Sequence, residues 1–171
     1  VESRGLGDVY KRQVSSYAAE KIKELYNRDS IIIPNAVNDE NFYVGDVNKN
    51  KDNKEEISIA MIGSEKSEFK RIKIILNAIE ELRKEGYLIN VNWITPDKPE
   101  KSKEKCLVNP PQKEIGNALR KSDIYICASK YESFGLPILE AMKCGLAIIT
   151  TDTGGNRDFV KDNENALITT G

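Results

Sequence analysis

The chain contains no histidine. A histidine general base and a histidine-ligated metal are therefore excluded within it. Cysteine is scarce: Cys106, Cys127 and Cys144 are an odd number and form no C-x-x-C pair. Cys127 and Cys144 stand among apolar residues, the pattern of small buried hydrophobes in a reducing compartment. Long apolar runs are missing too. Ile31–Ile33 and Leu146–Ile149 are far too short to span a bilayer, and no signal-peptide core follows the N-terminus. Neither sign of charge dominates: 26 Lys and Arg against 27 Asp and Glu leave a net charge of −1. That is no electrostatic footprint for nucleic acid or an anionic membrane.

What is present suits one soluble globular domain. The 171 residues are 39% hydrophobic and 31% charged, enough apolar material for a core and too little net charge for disorder. The chain begins at Val1 rather than Met and stops at Gly171 just after an apolar run, so it reads as a fragment. Val1–Gln13 has no periodicity and is expected to be a non-native leader, outside the fold.

Ser16–Asn27 carries Ala18, Ile22, Leu25 and Tyr26 at helical spacing. Ile31–Ile33 reads as a short buried strand ended by Pro34-Asn35. The polar stretch Val44–Glu56 reads as a linker or domain boundary. From residue 57 onward strands and helices alternate. Strands are expected at 57–62, 88–94, 105–108, 123–128, 146–150 and 166–169. Helices are expected at 70–84, 111–122 and 137–144, with Gly86 and Gly145 as stops. The charged segment Thr95–Lys105 reads as a solvated loop. Near-continuous apolar strands alternating with helices predict an α/β fold, a Rossmann-like parallel sheet with helices on both faces. Its ligands belong at the carboxyl ends of the strands.

The unusual residues collect at those ends. Gly63-Ser64 follows the first strand of the series, Ser129-Lys130-Tyr131-Glu132 the fourth, and Thr151-Asp152-Thr153-Gly154-Gly155-Asn156 the fifth. Glu132 and Glu140 flank Ser133-Phe134-Gly135-Leu136-Pro137, a turn with Pro at a helix start. A helix N-terminus offers amide donors and positive partial charge to a phosphate. Two carboxylates beside such a site point to hydroxyl groups as their partners, and phosphates with hydroxyls together describe a sugar nucleotide. The plainer readings are that Glu132 favours the helix dipole, that Glu140 is a solvated helix residue, and that Lys70 is one of many lysines.

Glu132 and Glu140 with Phe134-Gly135-Leu136-Pro137 between them, followed by Thr151-Asp152-Thr153-Gly154-Gly155, and preceded upstream by Ile31-Ile32-Ile33-Pro34-Asn35, resemble the donor half of retaining glycosyltransferases of family 4, with the GT-B fold. The resemblance covers about residues 14–171. It implies transfer of a sugar from a nucleotide-diphosphate donor to an acceptor with retention of configuration. It implies that Glu132 and Lys70 are catalytic, Glu132 on the sugar hydroxyls and Lys70 on the diphosphate, with neighbouring Arg71 as a possible substitute. Glu140 would hold the ribose hydroxyls. Gly63, Ser64, Ser133, Phe134, Gly135, Leu136, Thr153, Gly154 and Gly155 would complete the donor site. No metal and no cofactor beyond the donor substrate is implied.

The implied partners are a sugar nucleotide and a carbohydrate or lipid-linked acceptor, the acceptor bound by a missing N-terminal domain of which residues 14–43 would be the last helix and strand, with 57–171 the donor-binding domain. The isolated chain is accordingly expected not to turn over. The implied setting is cytoplasmic, in cell-envelope polysaccharide biosynthesis, with that missing domain reaching the membrane face. Three positions depart from the family pattern: Ser64 where an Arg is common, Ala36 where a Gly is common, and Thr95–Lys105 where a Gly-rich turn and helix are usual. Ser64 favours the alternative of a non-catalytic sugar-nucleotide-binding module. A glycoside hydrolase using Glu132 and Glu140 as its carboxylate pair is a third reading.

Overall fold

A computed structural model of the chain describes residues 11–45, 56–99 and 104–170. The expected linker and the first ten residues of the expected leader lie largely or wholly outside the described residues. The elements run β1 (Arg12–Gln13), α1 (Ser16–Tyr26), β2 (Ile31–Ile32), β3 (Glu56–Ile62), α2 (Ile72–Lys84), β4 (Leu88–Thr95), β5 (Cys106–Val108), α3 (Gln112–Arg120), β6 (Ile124–Cys127), α4 (Leu136–Lys143), β7 (Ala147–Thr151) and β8 (Leu167–Thr169), with a 3-10 turn at Gly155–Asp158.

Six strands form one parallel sheet in the order β5-β4-β3-β6-β7-β8. Alternation along each strand feeds two apolar layers. Ile59 and Met61 of β3 face Ile72, Ile75 and Ile79 of α2, together with Val91 and Trp93. Ala60, Tyr125 and Ile148 face the other way, onto Leu119 of α3 and Ile138 and Ala141 of α4. The expected sheet covered on both faces is thus the observed one. Helices α2 and α4 end as expected at Gly86 and Gly145. In α4, Gly145 N donates to Met142 O and Leu146 N to Ala141 O, the paired bonds of a Schellman stop. Cys127 and Cys144 are buried as free thiols. Among the described residues no helix is long and apolar enough to cross a membrane.

The N-terminal segment departs from the sequence reading. Arg12–Gln13, set aside with the leader, pairs in parallel with Ile31–Ile32. The strand expected to be buried at 31–33 is exposed: Ile31 is 66%, Ile32 43% and Ile33 52% accessible. A run of β-branched residues signals a strand, but burial needs a covering layer, and this two-stranded ribbon stands apart from the six-stranded sheet. Phe42, by contrast, is fully buried in the layer shared with Leu119 and Ile138. The segment before it is strapped to α3. Arg120 Nη1 donates to Asn41 O at 2.7 Å and its guanidinium lies 4.0 Å from the Tyr43 ring centre. Gly116 makes room for that crossing, since a Cβ there would stand 2.0 Å from Asn41 O.

Candidate active site

The sheet order reverses between β3 and β6, and loops leaving the carboxyl ends of such a pair diverge to leave a crevice. The loop after β3 begins at Gly63, held by Trp93 Nε1 donating to Gly63 O at 2.8 Å. Ser64 Oγ accepts from Lys66 N and closes a turn. Lys70 and Arg71 then follow. Both were expected in the first turn of a helix, yet α2 begins only at Ile72. Arg71 is its N-cap with a left-handed backbone (φ 51°), so the apolar periodicity overran the true start by two residues.

Lys70 and Glu132 meet in this crevice. Lys70 Nζ lies 2.5 Å from Glu132 Oε1, and the two side chains are 30% and 18% exposed. Their loops are bound to each other by the backbone as well. Lys130 N donates to Phe69 O at 2.8 Å, and Arg71 Nε donates to Ala128 O at 2.5 Å. Arg71 therefore spends one donor on the end of β6. It lines an open cleft of roughly 340 Å³ with Lys130, Tyr131, Thr151 and Asp152.

The third loop closes on the same place. Glu132 pairs with Gly154 in a short parallel bridge: Glu132 N donates to Thr153 O and Gly155 N to Glu132 O, each at 3.1 Å. Gly135 (φ 91°) then turns the chain into α4 through a backbone conformation that few residues with a Cβ adopt, and Leu136 and Pro137 open the helix. Phe134 is buried, its ring 5.2 Å from that of Phe159. Every site position named from the sequence falls on these three loops or on α4.

Comparison with known proteins decides the family. Residues 46–171 match the family described as Glycosyl transferases group 1. The chain belongs to that family. A probable sucrose-phosphate synthase of Thermosipho melanesiensis is 33% identical over 140 residues, which are 72% of this chain and 32% of that protein. The chain thus spans about a third of the length of that curated relative. Among solved structures, the C-terminal domain of a glycosyl transferase group 1 family protein (LpcC) from Francisella tularensis superposes with a TM-score of 0.62 at 22% identity, covering 78% of this chain and 80% of that one. Anabaena Alr3699/HepE, solved in complex with UDP and glucose, superposes with a TM-score of 0.74 at 16% identity, over 93% of this chain and 48% of that one. The shared fold is that of the GT-B glycosyltransferases.

In this group 1 glycosyltransferase chain, Glu140 is not the solvated helix residue of the plainer reading. It is buried in α4 beside Ala141, and burial raises its carboxyl from 4.5 to about 7. Because the folded-state value lies above the unfolded one, the stabilising protonated form is fully present below about pH 4.5. That contribution is lost as pH rises through about 7. Glu140→Gln is therefore expected to flatten the decline of melting temperature between those limits and to be more stable than the parent at pH 8. Parallel melting curves across that range would contradict the assignment.

Of three supporting residues, the sequence reading names Asn156 only as part of the loop after the fifth strand, and Ser15 and Tyr17 not at all. Asn156 is 1% exposed; its Nδ2 donates to Thr151 O at 3.0 Å and its Oδ1 accepts from Thr153 N at 3.1 Å, which shapes the loop carrying Gly154-Gly155. A polar residue directly after a Gly-Gly pair was the available signal. Ser15 Oγ caps α1, accepting from Ala18 N, and donates to Ser133 O at 2.6 Å. The Tyr17 ring lies so close over Gly154 that a Cβ there would be 2.6 Å from it. So α1 rests on the site loops.

Proposed function

We propose that this chain is the donor-binding part of a retaining glycosyltransferase that takes its sugar from a nucleoside-diphosphate sugar. The observation that carries the reading is the Lys70–Glu132 pair, 2.5 Å apart where the strand order reverses. A cation there suits a diphosphate, and a carboxylate beside it suits the hydroxyls of the attached sugar. The α4 N-terminus, entered through Gly135, adds amide donors for the phosphates. Glu140, one turn further along and buried, is the acceptor for ribose hydroxyls. The UDP and glucose held by Anabaena HepE on a similar fold support this class of ligand.

Transfer with retention passes through an oxocarbenium-like state while negative charge grows on the leaving diphosphate. Lys70 would stabilise that charge, and Glu132 would hold the sugar in line. The acceptor is assigned to parts of the protein beyond this chain, which spans 32% of its T. melanesiensis relative. Thermal unfolding of the chain against UDP-, GDP-, ADP- and dTDP-sugars tests the donor reading. One nucleotide class at about 100 times its dissociation constant is expected to raise the melting temperature by roughly 5–10 °C. No shift with any of the four would overturn it. Retention is read from the anomeric proton of the product made by the complete protein.

A second reading, a non-catalytic sugar-nucleotide-binding module, draws on one observation. Ser64 is uncharged and Arg71 already donates to Ala128 O, so diphosphate neutralisation would rest chiefly on Lys70.

A further inference from the structure

We infer that the Lys70–Glu132 ion pair makes the site discriminate between the intact sugar nucleotide and the spent nucleoside diphosphate, and thereby promotes product release. The inference rests on the donor-site reading above.

The pair is not what holds its loops together. Lys130 N to Phe69 O, Arg71 Nε to Ala128 O, Glu132 N to Thr153 O and Gly155 N to Glu132 O fix the backbone on both sides. Only the two side-chain tips must part when a ligand enters. An intact donor supplies a replacement for each. Its diphosphate takes the ammonium of Lys70, and its sugar hydroxyls donate to the carboxylate of Glu132. A bare nucleoside diphosphate supplies only the first. It leaves Glu132, at 18% exposure, without its cation and facing an anion. A half-buried charge that loses its partner is costly, so the bare diphosphate must share Lys70 with Glu132. Once the sugar has departed, Glu132 recaptures Lys70 and the hold on the diphosphate weakens. Glu132 is in this view a specificity-determining residue that acts through Lys70 as well as on the sugar.

A double-mutant cycle tests this. Dissociation constants are measured by calorimetry for UDP, GDP, ADP and dTDP and for UDP-glucose, GDP-mannose, ADP-glucose and dTDP-glucose. The proteins are the parent chain, Glu132→Gln, Lys70→Met and the double variant. Glu132→Gln is expected to bind the bare diphosphate about three- to five-fold more tightly, the worth of a partly exposed pair, and to bind the intact donor more weakly. In the Lys70→Met background the gain for the bare diphosphate is expected to vanish. An equal gain with and without Lys70 would mean simple repulsion between carboxylate and phosphate and would overturn the inference, as would no gain at all. A parent chain that binds neither nucleotides nor sugar nucleotides would instead overturn the donor-site reading, and the inference with it. If Lys70→Met does not give the parent circular-dichroism spectrum, Lys70→Gln completes the cycle.

Discussion

Replacing Lys70 with alanine in the complete protein is expected to lower kcat by about 10²–10³-fold, the usual cost of removing one preorganised group from a developing oxyanion. The geometry gives the reason. Ser64 offers a hydroxyl rather than a cation and Arg71 Nε donates to the carbonyl of Ala128, while Lys70 Nζ is the cation held against Glu132. On the proposed reaction, negative charge grows on the diphosphate only as the glycosidic bond breaks, so kcat should fall more than KM rises. The fold should survive, because a partly exposed ion pair contributes about 1 kcal/mol or less. Lys70→Arg should restore part of the rate, since it keeps the charge and changes its shape. Steady-state transfer assays with circular dichroism on each variant decide the matter. A kcat within about threefold of the parent would remove Lys70 from the mechanism, whereas no transfer by the complete parent protein would favour the non-catalytic module.

Gly155→Ala is expected to be the most damaging single substitution for the site's architecture. A Cβ at Gly155 would lie 2.4 Å from Glu132 O, 2.4 Å from Ser133 C and 2.5 Å from Phe134 N. All three are backbone atoms, so no side chain can swing away. The Thr153–Asn156 loop must move off the Glu132–Phe134 segment, and both 3.1 Å bonds that join them go with it. Overpacking of this kind, with two backbone bonds lost, costs roughly 3 kcal/mol or more. For a chain of this size that is about 10 °C in melting temperature. Nucleotide binding should fail as well, because Glu132 and the entry to α4 are set by that contact. A variant that melts within about 2 °C of the parent would show that the loop yields without cost.

Much of this was legible in the chain itself. Strands buried on both faces are short, near-continuous apolar runs, so β3, β4, β6 and β7 were placed within one or two residues. The helices announced themselves by 3.6-residue periodicity and by Gly86 and Gly145. The candidate residues Glu132, Gly154 and Gly155 were legible on the carboxyl-end loops and Glu140 on the helix that follows. Where the reading slipped, the cause was what distant parts of the chain do, or do not, pack against the segment. The periodicity of α2 runs back through Lys70, but Arg71 is pulled into a left-handed backbone with its side chain tied to Ala128 O. Ile31–Ile33 has the composition of a buried strand and no sheet to cover it.

By itself, then, the sequence determined the alternation of strands and helices, the edge of the sheet where the candidate residues gather, and the residue types available there. Those follow from local periodicity and turn chemistry, which operate over a few residues. Only the tertiary structure decided which of those residues meet. It paired Lys70 with Glu132 across 62 positions, set Ser15 on Ser133 across 118, buried Phe42 under α3 and α4, and made Gly155 indispensable to the backbone of Glu132. Such contacts are set by strand order and loop closure, and no stretch of a few residues encodes either.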